Sequence, residues 1–269
     1  MKHEKSFKKL QIQNKKQVMI IATILVVLVS GGMLYLSPII SPIQFAGVDD
    51  DGFKTQYLIQ NLRGDTVDTW ASWRIPVDAP FHIHLLDSKF ATPDKVNAIV
   101  SVIMSDKEIK IDDNLMHKGP AGTTSVYYEG WHGALNSITS DTKFNIVKNL
   151  HFHVDNGEST GNIVIMLTDM SSPDGYSGYT NSIVDEANHQ ILKSTITIYD
   201  VNKLSIENLK TILRHELGHG FGLAHSTALE DLMYPVITTY YPYISDCDLD
   251  AISHLYDGGG DSSNVVCEK

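Results

Sequence analysis

The run HELGHGFGLAH at 215–225 demands more of a fold than any other part of the chain. Positions four apart on an α-helix stack on one face, a turn apart. His215 and His219 can therefore offer two imidazoles to one ion, at about 2.0–2.1 Å if the ion is zinc. Glu216 sits beside the first ligand, where its carboxylate can reach a water on the metal without binding the ion itself. Two ligands hold an ion weakly. Gly222 can take positive φ and turn the chain sharply out of the helix, which allows His225 to return as the third. Three protein ligands leave one position open to water, and Glu216 beside it is placed to take the water's proton and pass it to a departing amine. Peptide bonds are the natural substrate class, because an amide needs both nucleophile activation and leaving-group protonation. Chance assembly of this spacing is expected on the order of once in 10⁴ chains of this length.

The helix carrying the motif is predicted to begin near Ser205, a candidate cap, with Glu207 in its first turn and Ile206, Leu209, Leu213 and Leu217 as its core stripe. Eight residues past His225, LMYP (232–235) follows. There Met233 can fill space beneath the ligands and Pro235 can stiffen a turn; a core methionine in a tight loop is the plainer reading. Strands are predicted at 81–88, 150–154, 162–169 and 194–200, and helices at 93–104, 125–138 and 247–256. His82 and His84 alternate with Phe81, Ile83 and Leu85, which puts them on the face that solvent ordinarily occupies. The segment 52–80 is ambiguous, with Tyr57, Trp70 and Trp73 able to cover a domain edge, and DGYSGYTN (174–181) reads as a polar connection. These elements predict an α+β domain over 76–269, with about five strands and three helices.

With 42% hydrophobic and 20% charged residues, the chain can bury a core. Its formal net charge of -11 argues against a nucleic-acid partner, which would call for a basic face. The amino-terminal segment 1–17 is the exception, with Lys2, Lys5, Lys8, Lys9, Lys15 and Lys16 against Glu4. An uncharged run from Val18 to Leu36 follows, long enough to cross a hydrocarbon core of about 30 Å. The basic flank before it and Asp49, Asp50 and Asp51 after it predict a cytoplasmic tail (1–17), a membrane anchor (18–37), a stalk (38–75) and an extracellular domain. A cleaved signal, leaving a secreted protein, and a buried helix are the alternatives. Cys247 and Cys267 can close a loop in an oxidising exterior, contributing about 3 kcal/mol, or stand as two thiols.

HELGHGFGLAHS together with EDLMYP resembles the metzincin clan of zinc endopeptidases, and within it the matrixin-like family. The resemblance extends to SDCDLDAISHLY (245–256), similar to the final helix of matrixin catalytic domains. It implies a zincin-like fold, with a twisted, mostly parallel sheet of about five strands and three helices, and one catalytic Zn2+ held by His215, His219 and His225. It further implies Glu216 as general base, Met233 in a turn under the metal, and a peptide or protein substrate lying along a sheet edge. In such enzymes the stretch after Pro235 lines the pocket for the side chain beyond the scissile bond, which makes Tyr240, Tyr241 and Tyr243 candidates for that wall. The family's cysteine-bearing propeptide and its histidine-rich segment for structural zinc and calcium have no match, so Ca2+ is left without support. His151, His153 and Asp155 are a candidate second site, against the simpler reading of outward-facing strand histidines. The alternative to an endopeptidase is a non-catalytic extracellular binding module stapled by zinc; a metal-dependent amidase is a further rival.

Overall fold

Aliphatic residues recurring every second position build the central sheet. The computed structural model describes residues 54–58, 71–116, 119–155, 161–226, 230–237, 240–258 and 264–268. In chain order its strands are β1 (Lys54–Leu58), β2 (Ser72–Trp73), β3 (Phe81–Leu86), β4 (Glu108–Asp112), β5 (Thr124–Tyr128), β6 (Leu150–Asp155), β7 (Ile163–Leu167), β8 (Gly178–Asp185), β9 (Gln190–Ile198), β10 (Ile244–Ser245) and β11 (Asn264–Glu268). The helices are α1 (Pro93–Met104), α2 (Trp131–Ser137), α3 (Ile206–Gly220) and α4 (Asp246–Tyr256), with a short 3-10 turn at Asp113–Met116.

The six-stranded sheet runs β2-β9-β7-β3-β6, with β8 on β9. All its pairings are parallel except β8 with β9, which is antiparallel and carries a register shift at Ile183/Val184. One face presents Ile83, Leu85, Ile163, Ile165, Ile196 and Ile198, all fully buried. These join Leu209, Leu213 and Leu217 of α3, Ile99, Val102 and Ile103 of α1, and Leu249, Ile252 and Leu255 of α4 in one core. Each such side chain contributes roughly 1.5–3 kcal/mol on burial. The catalytic-motif helix is thereby pressed along its apolar stripe onto the sheet. A second, three-stranded sheet runs β10-β5-β4, and β1 pairs antiparallel with β11.

Helix start signals are in place, among them the Ser205 cap read from the sequence. Pro93 opens α1, and Ser205 caps α3 by accepting from Asn208 N–H at 3.1 Å. Ser245 and Asp248 form a reciprocal capping box on α4.

Several expectations need correction. Four α-helices, rather than three, lie among the described residues. The predicted helix at 125–138 divides into β5 and α2, because the β-favouring VYY belongs to a strand and the glycines serve close packing. A β-carbon on Gly130 would lie 2.6 Å from Ser105 N, and one on Gly133 2.7 Å from Asp106 Cα. The polar connection near 174–181 leads into β8, an edge strand whose half-buried row, Thr180, Ser182 and Val184, is mostly polar. The expected transmembrane helix, and with it the membrane as partner and the membrane-anchored extracellular placement, is not upheld: among the described residues no helix is long and apolar enough to cross a membrane. The tail and anchor segments themselves, 1–37, lie outside the described residues, as does Trp70.

Candidate active site

α3 is built to bury its polar end. Ser205 starts it, Leu209, Leu213 and Leu217 fix its rotation, and Arg214, His215 and Glu216 then fall in the buried last two turns. Its outer backbone is held from two sides by indoles: Trp131 Nε1–H donates to the Arg214 carbonyl at 3.0 Å, and Trp73 Nε1–H to the Gly220 carbonyl at 2.8 Å. Arg214 itself donates to the Glu129 and Pro242 carbonyls at 2.9 and 2.6 Å. Burial lowers the Arg214 guanidinium to about 10, which leaves it charged at neutral pH.

The helix ends in a Schellman turn. Leu223 N–H donates to Gly218 O at 2.9 Å and Gly222 N–H to His219 O at 3.0 Å, with Gly222 at φ +104°. A β-carbon on Gly222 would sit 2.6 Å from both the Ala71 carbonyl oxygen and Leu255 Cδ2. Glycine is needed there for conformation and for room. The reversal carries the chain to His225, which is buried with His215.

The three imidazoles converge. His215 and His219 each donate Nδ1–H to a backbone carbonyl, Leu232 O at 2.7 Å and Leu223 O at 2.8 Å. That fixes both tautomers and leaves both Nε2 lone pairs free. The two Nε2 atoms stand 3.1 Å apart, and a ligand atom of His225 lies within 4.8 Å of both. Three nitrogens on one zinc ion are about 3.3 Å apart in a tetrahedral shell, so this donor set fits that ion. Desolvation pulls His215 down to about 4 and His225 to about 3, and lowers His219 well below the usual imidazole range. All three are therefore neutral, the form in which imidazole binds metal.

Glu216 is buried beside them, and burial pushes its carboxyl up to about 7 against the opposing hydrogen bond from Thr180. The Thr180 hydroxyl lies 2.7 Å from Glu216 Oε2 and 3.0 Å from the Glu216 carbonyl. Gly178, two residues earlier on β8, has no side chain to block the other oxygen: a β-carbon there would lie 2.6 Å from Glu216 Oε1. Sequence reading found neither residue. Their one local signal is the Thr180-Ser182-Val184 alternation that marks β8.

Met233 is buried against the catalytic helix, where a β-carbon on Gly218 would be 2.4 Å from its sulfur. The turn that delivers it is closed by Ser226 N–H to Met233 O at 2.8 Å and by Met233 N–H to Asp231 Oδ1 at 2.7 Å. Pro235 lies outside this packing, exposed on the surface. Tyr241 and Tyr243 rest on a small cluster of Ile111, Met116 and Tyr127, and the Arg214 guanidinium lies 5.2 Å from the Tyr243 ring centre. Tyr240 is 94% exposed. Cys247, in the first turn of α4, is disulfide-bonded.

Comparison with known proteins places this geometry in context. The family model described as Matrixin matches residues 128–257. Interstitial collagenase of Sus scrofa is 45% identical over 60 residues, 22% of this chain and 12% of that protein. Matrix metalloproteinase-18 of Xenopus laevis is 42% identical over 64 residues, 23% of this chain and 13% of that protein. The likeness thus spans only a small part of either relative's length.

Proposed function

We propose, for a chain that carries a matrixin-like zinc-protease domain, the hydrolysis of internal peptide bonds in protein substrates. The observation that supports this best is the pairing of three converging neutral imidazoles with one buried carboxylate whose second oxygen is kept clear. His215, His219 and His225 would hold the ion. When bound, zinc supplies Lewis-acid chemistry, acidifying water and polarising a peptide carbonyl.

The remaining work falls to this chain's own groups. Glu216 takes the proton at Oε1, because Oε2 is occupied by the Thr180 hydroxyl. A carboxyl raised towards 7 gives up that proton readily to the departing amine, as an acid-base group near the working pH should. Thr180 and Gly178 belong to β8, and a substrate main chain lying along this edge strand would meet Glu216 directly. Tyr240 is exposed enough to touch such a substrate, whereas Tyr241 and Tyr243 are better placed to brace the loop behind it.

Replacing Glu216 by Gln in the full chain tests the reading. The variant should keep its zinc and lose casein cleavage by about 100-fold or more. Undiminished cleavage would sink the assignment of the base. Equal inertness of the zinc-loaded parent and the variant would favour the alternative, a binding module in which the same three histidines serve only as a staple.

A further inference from the structure

A second group of imidazoles lies away from α3, on the first pair of parallel strands. In the β3–β6 register His82 stands beside His151 and His84 beside His153, with Asp155 next along the strand. Adjacent positions in a parallel pair, and positions two apart on each strand, share one face. The pairing therefore sets four imidazoles side by side, with ring centres 5.0 Å apart for His84–His153 and 5.3 Å for His82–His153.

Three of them already stand as ligands do. One donor atom each from His82, His84 and His153 lies within 4.8 Å of the others. His82 Nδ1 and His153 Nε2 are 3.2 Å apart, close to the spacing of about 3.3 Å that a tetrahedral zinc imposes on its nitrogens. His84 Nδ1 is hydrogen-bonded to the Asp155 carboxylate. A carboxylate in that position fixes the tautomer of a metal-ligating imidazole and leaves Nε2 as its donor atom.

The surrounding chain is fitted to this arrangement. His84 is only 9% exposed, although it points away from the sheet's aliphatic face. Gly161 lies against its ring so closely that a β-carbon there would be 2.4 Å from His84 Cδ2. The next residue, Asn162, accepts from His82 N–H at 2.8 Å through its side-chain oxygen. A merely solvated strand face requires neither a glycine closed over one imidazole nor a carboxylate behind it.

We infer that His82, His84 and His153 form a second metal site, with Asp155 as positioning residue, for a divalent transition ion of the zinc type that staples edge strand β6 to β3. Nitrogen donors select this class over calcium or magnesium, which need oxygen ligands. The staple would join strands separated by a long connection, adding a cross-link where the sheet has only one neighbour to hold it.

Metal content of the full chain tests this without reference to catalysis. After chelator treatment, reloading with zinc and dialysis, the parent should hold two ions per chain by elemental analysis. His153→Gln, an exposed change on the edge strand, should hold one; His219→Gln should also hold one; the double variant should hold none. His82→Gln should repeat the loss seen with His153→Gln, and circular dichroism should show parent-like spectra for both. In the His219→Gln background zinc should raise Tm by several degrees, and His153→Gln should abolish that rise. Zinc content unchanged by both His153→Gln and His82→Gln would overturn the site. Loss of all zinc on His219→Gln alone would do the same, while agreeing with the assignment of His219 to the first site.

Discussion

The proposed chemistry turns on Glu216, whose two oxygens have different neighbours. Thr180 donates to Oε2 and lowers the carboxyl, while burial raises it, and burial wins. Thr180→Val should therefore raise the Glu216 pKa further and move the acidic limb of the kcat/KM profile to higher pH; an unmoved limb would remove Thr180 from the site's electrostatics. Stability follows the same sign. With a folded pKa near 7 above an ordinary 4.5, Glu216 favours the folded state fully below pH 4.5 and loses that contribution as pH rises through 7. Glu216→Gln, which cannot ionise, should accordingly stabilise the metal-free protein by about 3 kcal/mol above pH 7 and hardly at all at pH 4, as read by urea unfolding. The imidazole cluster was legible because helix periodicity places His215 and His219 from local spacing alone. Thr180 and Gly178 were not, because a strand some 36 residues upstream meets Glu216 only through sheet pairing.

At the level of elements, the exit from α3 decides whether His225 reaches the site. The Schellman turn and the close approach of Ala71 O both require glycine at position 222. Gly222→Ala should cost about 1–3 kcal/mol of stability and lower zinc affinity; unchanged metal content and unfolding midpoint would refute that role. This exit was readable from the Gly222-to-His225 interval. The division of 125–138 into β5 and α2 was not, because Gly130 and Gly133 look like helix breakers or tolerated defects until α1's carboxyl-terminal backbone is seen against them. The second histidine group had a similar fate. HIH reads as ordinary strand surface and HFH with Asp155 as a candidate site set against that same reading, and only the β3–β6 register makes the two runs neighbours.

Across the whole molecule, one continuous core couples the catalytic helix to the sheet, to α1 and to α4. Pairing Cys247 with Cys267, the chain's other cysteine, predicts that reduction lowers stability by about 3 kcal/mol; an unfolding curve unaffected by reductant would exclude it. The α+β class was visible in the aliphatic strands β3, β7 and β9 and the helices among them, whereas their parallel pairing was not, since alternation is the same in either direction. The three-stranded sheet of β10, β5 and β4 was not, since two-residue β10 carries no periodic signal. The central claim is that one zinc ion is gripped by three imidazoles around a face left open for substrate. Anomalous diffraction at the zinc edge from metal-loaded crystals tests it most directly: the account predicts density about 2.0–2.1 Å from the Nε2 atoms of His215 and His219 and from a His225 ring nitrogen. An ion that leaves His225 unligated, or one whose fourth position is closed by a protein group, would contradict it.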